Sequence, residues 1–239
     1  MVKKKHQDYI YLQSNYYLEP KETFKFNFEK IKERLGDNSD GDGISILDMG
    51  CSRGEWLYYV KKFLPQAKLV GVDYSHDLIE SAKNFYGLDG VEFHIGSLED
   101  VRLNEKFDFI RIAGVMSYFD DLGPALITMK EHMKKTTHSY IFDQFNPYDV
   151  DVIVKYRNNK YSSEFESGWN IASLNTVTKI LDDLGLKINS ISKFELSFRL
   201  KKCQDPARTW MIDTEDGTKF VNGLGQIFDM NLYEITYQV

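Results

Sequence analysis

The sequence predicts a doubly wound α/β fold, with helices on both faces of a mainly parallel sheet. Three observations predict it. From Ile44 onward, short apolar runs alternate with helical stretches at spacings of about 20 to 30 residues, typical of strands joined by crossover helices. A glycine-containing loop at 50–54 follows the first run and opens a helix. Two longer alternating stretches, 187–199 and 229–239, are typical of strands that close a sheet.

The chain before the sheet contains one predicted helix. Apolar residues recur at steps of three and four from Phe24 to Leu35, which predicts an amphipathic helix over 21–35. A glycine and a polar stretch then end it. We therefore divide the chain into an N-terminal helical cap segment, 1–43, and a main domain, 44–239.

Within the main domain, strands and helices alternate. The predicted strands span 44–49, 68–72, 91–95, 107–112 and 139–142, and the predicted helices span 55–64, 76–86, 123–135 and 173–184. Insertions at 146–172 and 201–228 interrupt this order. The second contains a β-hairpin insertion near the C-terminus, with Asp216-Gly217 in its turn. Because excursions from a rigid scaffold often carry specificity, we expect both insertions to contact the substrate.

Composition narrows the class of protein. The 239 residues are 42% hydrophobic, enough for a core, and carry a net charge of −6. That charge disfavours nucleic acid and favours a small-molecule substrate. The sequence has neither an apolar run long enough for a membrane span nor a signal peptide, so we expect a cytoplasmic monomer or homodimer. Two cysteines form no disulfide framework, and the acidic pair Asp120-Asp121 is expected to begin a solvated helix, so no metal is predicted.

The loop Gly50–Gly54 is compatible with three chemistries. Dinucleotide binding would need a third glycine, which is absent at the required spacing. The run also matches the G-x-S-x-G of serine hydrolases around Ser52, but no histidine follows a strand where that mechanism needs one. The third chemistry is a methyl-donor site. Asp73 ends the second strand about 20 residues after the loop, where a carboxylate accepts hydrogen bonds from ribose hydroxyls. S-adenosylmethionine fits both the glycine-containing loop and the acid at the end of the second strand.

Three motifs in order carry a family resemblance. The run Leu47–Gly54, LDMGCSRG, resembles the L-D-x-G-C-G-x-G of class I S-adenosylmethionine-dependent methyltransferases. Val72–Ser75 resembles the second motif of that family, and Phe93–Asp100 the third. Phe107–Ile110 and Gly114–Phe119 resemble its fourth strand and the loop lining the methyl group. The resemblance implies a Rossmann-like seven-stranded sheet with a reversed last hairpin, S-adenosyl-L-methionine as cofactor and S-adenosyl-L-homocysteine as product.

The resemblance also implies which residues bind the cofactor. Asp73 would hold the ribose, Tyr74 would pack on the adenosine, and Asp48 would lie near the ammonium. The implied cofactor-binding set is Asp48, Gly50, Cys51, Ser52, Gly54, Asp73, Tyr74, Ser97, Leu98 and Gly114. Two positions depart from the family pattern: Ser52 replaces a glycine, and Ser97 replaces an acid that commonly binds the adenine amine.

The acceptor side is predicted from the strands facing the methyl group. Asp143 is the predicted general base and Tyr118 the second catalytic residue, with the histidine of the third strand, His94, as an alternative base. Gln144 and Asn146 are predicted to hydrogen-bond the substrate. Tyr16 and Tyr17 are also predicted to bind it, since the N-terminal segment of this family often covers the cofactor.

The predicted function is O-methylation of a sugar, phosphosugar or similar small polar precursor. The run Arg53–Leu57 resembles methyltransferases encoded with bacterial capsule and lipopolysaccharide genes, which suggests a precursor of a surface polysaccharide. Two alternatives stay open: a small-molecule N-methyltransferase, and a catalytically silent methyltransferase fold that serves as a binding subunit.

Overall fold

A mixed β-sheet forms the centre of the molecule. This computed structural model describes residues 11–13, 15–36, 38, 40–160, 163–203, 205 and 207–238. The first ten residues of the predicted cap segment therefore lie outside the described part. The strands are β1 (Ser45–Met49), β2 (Lys68–Asp73), β3 (Glu92–Ile95), β4 (Phe107–Ala113), β5 (Met133–Asp143), β6 (Lys155–Tyr156), β7 (Glu166–Ser167), β8 (Leu186–Lys193), β9 (Trp210–Thr214), β10 (Gly217–Val221), β11 (Ile227–Phe228) and β12 (Asn231–Tyr237).

The sheet has the order β3-β2-β1-β4-β5-β12-β8, with seven strands. Strand β1 lies in the middle and runs parallel to both β2 and β4. Strand β12 is antiparallel to β5 and to β8, so the closing pair is reversed. The doubly wound seven-stranded sheet predicted from the sequence is confirmed. Because the parallel strands all end at one edge, the loops after β1, β2, β3 and β4 lie together there.

Helices cover both faces of the sheet. They are α1 (Glu22–Leu35), α2 (Glu55–Lys61), α3 (His76–Lys83), α4 (Gly123–Glu131) and α5 (Leu174–Asp183), with short 3-10 turns at Tyr86–Leu88 and Met116–Tyr118. Phe28 of α1 and Trp56 of α2 are buried in one core cluster. Leu126 of α4 and Val177 of α5 are buried in a second cluster on the other face. The N-terminal helix therefore belongs to the same packed body as the sheet.

Strand β5 begins earlier than predicted. The sequence suggests a helix over 123–135, but α4 ends at Glu131 and β5 begins at Met133. His132 follows the helix as its C-cap residue, and its buried side chain accepts the Leu103 N–H at Nε2, while Nδ1 lies 2.7 Å from the Thr128 carbonyl. The chain then enters the sheet directly.

The predicted hairpin is present and packs on its own chain. Strands β9 and β10 pair in antiparallel fashion, and β11 adds a third strand. Phe220 and Phe228 are buried, and the Phe220 ring stacks on Phe194, just beyond β8. The Gln226 side chain donates a hydrogen bond to the Trp169 carbonyl, so the two insertions touch. Part of the apolar surface of the hairpin is therefore covered within its own chain, while Ile227 stays exposed.

A buried carboxylate fastens α1 to the closing strands. Glu234 of β12 accepts two hydrogen bonds of 2.8 Å from Arg34, at the end of α1. It also accepts hydrogen bonds from Asn189 and Ser190 of β8, and His138 Nδ1 lies 2.8 Å away. Burial alone would raise the pKa of Glu234, but these hydrogen bonds outweigh it and lower the pKa to about 2.

We predict that Glu234→Gln lowers the free energy of unfolding at neutral pH and makes that free energy less dependent on pH between about 4.5 and 2. The lowered pKa means that the carboxylate stabilises the fold above its ordinary pKa of 4.5, and that this contribution is lost as pH falls toward 2. At pH 7 the variant should lose about 1–3 kcal/mol in urea unfolding, and the gap to the unaltered protein should narrow at pH 3. Glu195→Gln, at an exposed site paired with Lys193, is the matched control. A gap that is the same at both pH values would contradict the assignment.

Candidate functional site

The turn after β1 depends on residues with positive φ. Gly50, Ser52 and Gly54 have φ values of 84°, 53° and 74°. A Cβ on Gly50 would lie 2.5 Å from a methyl carbon of Val115, in the loop after β4. The N–H groups of Gly50 and Cys51 both donate to the Val72 carbonyl, at 2.8 and 2.9 Å. The loop is thus held tightly between the ends of β2 and β4, and a side chain at position 50 has no room.

Asp73 joins the first two loops. Its carboxylate accepts the Ser52 N–H at 2.8 Å and the Ser75 N–H at 3.0 Å. One oxygen thus holds the turn after β1, and the other holds the start of α3. The carboxylate also lines the cavity described next, where it can accept hydrogen bonds from a bound hydroxyl.

A cavity of about 600 Å³ opens at this edge of the sheet, a volume typical of sites for small organic ligands. Of the residues predicted to bind cofactor or to act in catalysis, its wall contains Asp48, Gly50, Cys51, Ser52, Asp73, Tyr74, Ser97, Leu98, Gly114 and Tyr118. Gly54 lies behind the wall, where a Cβ would meet the Phe93 ring at 2.7 Å. The structure therefore brings nine of the ten predicted cofactor residues and Tyr118 to one cavity.

An ion pair forms one side of the cavity. Arg111 of β4 donates to Asp48 at 2.7 Å and to the Asn27 side-chain oxygen of α1 at 2.9 Å. Its guanidinium also lies 4.5 Å from the centre of the Trp56 ring. The second Asp48 oxygen is buried without a hydrogen-bond partner among the described residues. Burial raises the pKa of Asp48, and Arg111 opposes that rise. A cationic group in the cavity would satisfy the unpaired oxygen.

Asp143 lies outside the cavity wall. It is 1% exposed, and its two oxygens accept the Ser117 N–H at 3.3 Å and the Gln144 N–H at 3.0 Å. Burial raises the pKa of Asp143 to about 7, although its backbone hydrogen bonds oppose the rise. The Asp143 carboxylate therefore binds the loop 115–118 on the side away from the cavity, while Tyr118 of that loop lines the cavity.

None of the four predicted substrate-binding residues is part of the cavity wall. Tyr17 stacks on Phe85 with ring centres 3.7 Å apart, and its hydroxyl donates to the Arg53 carbonyl. Tyr16 packs edge-on against Phe24. Gln144 is buried beside Asp143. Asn146 donates to the Val150 carbonyl at 2.8 Å and so shapes the start of the first insertion.

Several further cavity residues are absent from the predicted sites. They include Tyr11, Lys21, Glu55, Trp56, Glu99 and Arg111, of which Glu55, Trp56 and Glu99 lie inside the motif runs 53–57 and 93–100. The Lys21 ammonium lies 4.1 Å from the centre of the Tyr16 ring, and burial lowers its pKa. Lys21 precedes α1, and only the packing of that helix on the sheet brings it to the cavity. The first insertion also reaches this region, because the Asn170 N–H donates to the Ser117 carbonyl at 2.9 Å.

Among the described residues, no group of three or more histidine, cysteine, aspartate or glutamate side chains is arranged to hold a metal ion. No helix in the described ranges has the length and apolar character to cross a membrane.

The sequence is similar to known methyltransferases. A family model described as "Methyltransferase domain" matches residues 40–193, the larger part of the chain. A malonyl-[acyl-carrier protein] O-methyltransferase of Acetivibrio thermocellus is 24% identical over 188 residues, which cover 71% of this chain and 64% of that protein. A protein of the same name from Bacillus cereus is 26% identical over 103 residues, covering 43% and 37%. The chain thus spans less than two thirds of the length of these relatives.

A solved structure has the same fold over nearly the whole chain. An S-adenosylmethionine-dependent methyltransferase from Clostridium acetobutylicum matches with a TM-score of 0.60 at 14% identity. The match covers 98% of this chain and 96% of the other. At this identity the likeness establishes the fold alone.

Proposed function

The chain belongs to the methyltransferase domain family, and from this premise we propose that it transfers a methyl group from S-adenosylmethionine to a small polar acceptor. The observation that carries the proposal is the cavity into which the turn after β1, Asp73 and the loop after β4 all face. When bound there, S-adenosylmethionine supplies a methyl carbon on a positively charged sulfur.

The cavity residues fit this cofactor. Asp73 has the position and charge to hold a ribose diol, as predicted, and Ser97 and Leu98 line the side where the adenine is expected. The unpaired oxygen of Asp48 is suited to an ammonium group.

The chain's own groups would orient the acceptor and exclude water. Methyl transfer needs the reacting atoms in line in a dry site, so much of the acceleration comes from positioning. Burial raises the pKa of Tyr118 well above its ordinary value, so its hydroxyl stays protonated at neutral pH. In our proposal Tyr118 therefore donates a hydrogen bond to the acceptor and does not remove its proton.

The acceptor class is supported in part by the relatives. The names of two curated relatives describe O-methylation, which favours an oxygen acceptor over nitrogen. Neither structure nor relatives add support for a surface-polysaccharide precursor, and that assignment stays a prediction resting on 53–57. In the structure, residues 53–57 contribute to packing. Trp56 is buried in the core, and Arg53 donates hydrogen bonds to the backbone carbonyls of Tyr11 and Leu12.

The proposal predicts that Asp73→Ala weakens cofactor binding. We expect the unaltered chain to bind S-adenosylhomocysteine in the micromolar range, about −7 to −8 kcal/mol. Removing a carboxylate that accepts charged hydrogen bonds should cost roughly 1.5–3 kcal/mol, or about 10- to 150-fold in Kd, in titration calorimetry. Asp89→Ala, at an exposed loop acid, should leave the affinity unchanged. A folded Asp73→Ala variant with full affinity would place the ribose elsewhere.

The same proposal predicts how Asp143→Asn behaves. Its position behind the loop 115–118 favours a positioning role. The amide oxygen of the variant still accepts the Ser117 N–H, although the Gln144 N–H loses its acceptor. We expect a loss in kcat of no more than about tenfold, with an unchanged pH profile, in a labelled-methyl assay with an acceptor from a nucleotide-sugar and phosphosugar screen.

The alternative is the general-base role predicted from the sequence. With a pKa of about 7, a base at position 143 would make activity rise with pH through neutrality. A loss of more than about 100-fold in Asp143→Asn, together with disappearance of that rise, would restore the base assignment. If the screen yields a methylated amine instead, the N-methyltransferase alternative replaces O-methylation.

A further inference from the structure

Two cations approach one tyrosine ring beside the cavity. The Lys21 ammonium lies 5.0 Å from the centre of the Tyr11 ring, and the Arg208 guanidinium carbon lies 5.5 Å from the same centre. Tyr11, Lys21 and Tyr118 line the cavity. Arg208 is not part of the cavity wall; it lies against the far side of Tyr11 and shares a side-chain hydrogen bond with that residue. Residues from the N-terminal segment, the loop after β4 and the second insertion thus meet at one place, which we call the basic cluster (Tyr11, Lys21, Tyr118 and Arg208).

The cations of this cluster are incompletely paired. Glu55 of α2 is the carboxylate whose charge acts on the Lys21 ammonium, but no ion pair between described residues includes Lys21. Arg208 is 27% exposed, with its Nε 3.7 Å from an oxygen of Asp205. Its Nη2 is buried and finds no hydrogen-bond partner among the residues that the structure describes. A buried guanidinium nitrogen without a partner is costly, unless a ligand supplies the acceptor.

The cluster favours negative charge. Burial by itself would raise the pKa of Tyr11, yet the charges of Lys21 and Arg208 outweigh that effect and lower it. Glu55 is the carboxylate that opposes them from α2. Lys21 and Arg208 thus create a positive potential at the Tyr11 hydroxyl, and such a place is suited to an anionic group.

We propose that the basic cluster binds a carboxylate or phosphate group carried by the methyl acceptor, with Arg208 as its recognition residue. The inference rests on the proposed function and specifies its substrate class. Arg208, Lys21 and Tyr11 all lie outside the family match at 40–193, so they belong to what this chain adds to the shared domain. A guanidinium suits this role because its planar donors match the oxygens of carboxylate and phosphate.

The test uses the full chain saturated with S-adenosylhomocysteine, titrated calorimetrically with malonate in one arm and inorganic phosphate in the other. We expect at least one anion to bind, and the tighter of the two to indicate the group on the acceptor. Arg208→Gln should raise its Kd by about tenfold or more, and Arg208→Lys by less. Arg199→Gln removes the same charge from an exposed pair with Asp213 in the same part of the chain and should leave the Kd unchanged.

Three outcomes would overturn the inference. The first is that neither anion binds. The second is an equal loss in Arg199→Gln, which would show only a general charge effect. The third is anion binding that disappears once S-adenosylhomocysteine is present, which would assign the cluster to the cofactor's own carboxylate.

The inference and the proposed function fail in different ways. If the unaltered chain does not bind S-adenosylhomocysteine, the proposed function fails. If it binds that product while rejecting both anions, only the basic cluster is misassigned. Arg208→Gln should keep its affinity for S-adenosylhomocysteine within about twofold and unfold at the same temperature, so a lost anion site is not a lost fold.

Discussion

The buried contact of Arg111 with Asp48 and Asn27 is the interaction on which the site depends. It joins β4, β1 and α1 beside the cavity, and Trp56 of α2 packs against the same guanidinium. A buried charge must be paired, so these elements can meet in few arrangements. The pair also leaves one Asp48 oxygen unsatisfied at the cavity, where a cationic ligand group would complete it.

The sequence predicts the parts of the site that depend on local pattern. A turn that needs positive φ must contain glycines, and an acid at the end of β2 must lie beside that turn in a parallel sheet. No local sequence pattern identifies Arg111 or Lys21 as cavity residues. Arg111 lies within a strand and Lys21 just before a helix, and nothing in either position shows that the side chain reaches a cavity. Asp143 follows the adjacent strand, as predicted, but the loop 115–118 stands between it and the cavity, and sequence pattern does not determine how that loop folds.

The two insertions contact each other and the loop after β4. The hairpin packs on Phe194 and touches the first insertion through Gln226. The first insertion reaches the loop after β4 through Asn170. In our account these segments form the acceptor side; the first insertion lies within the matched domain, 40–193, and the second lies beyond it. In our account the domain supplies the methyl donor site, and these segments select an acceptor bearing an anionic group.

The most direct test of the account is to locate cofactor binding by hydrogen–deuterium exchange. With S-adenosylhomocysteine present, we predict slower exchange in peptides covering 50–54, 73–75, 97–99 and 114–118. These segments follow the four neighbouring parallel strands β1, β2, β3 and β4. The hairpin strands 210–221 should exchange at the same rate with and without the ligand. Protection that spares these four segments, or that appears only in another part of the chain, would contradict the central claim that the cavity at this edge of the sheet is the methyl-donor site.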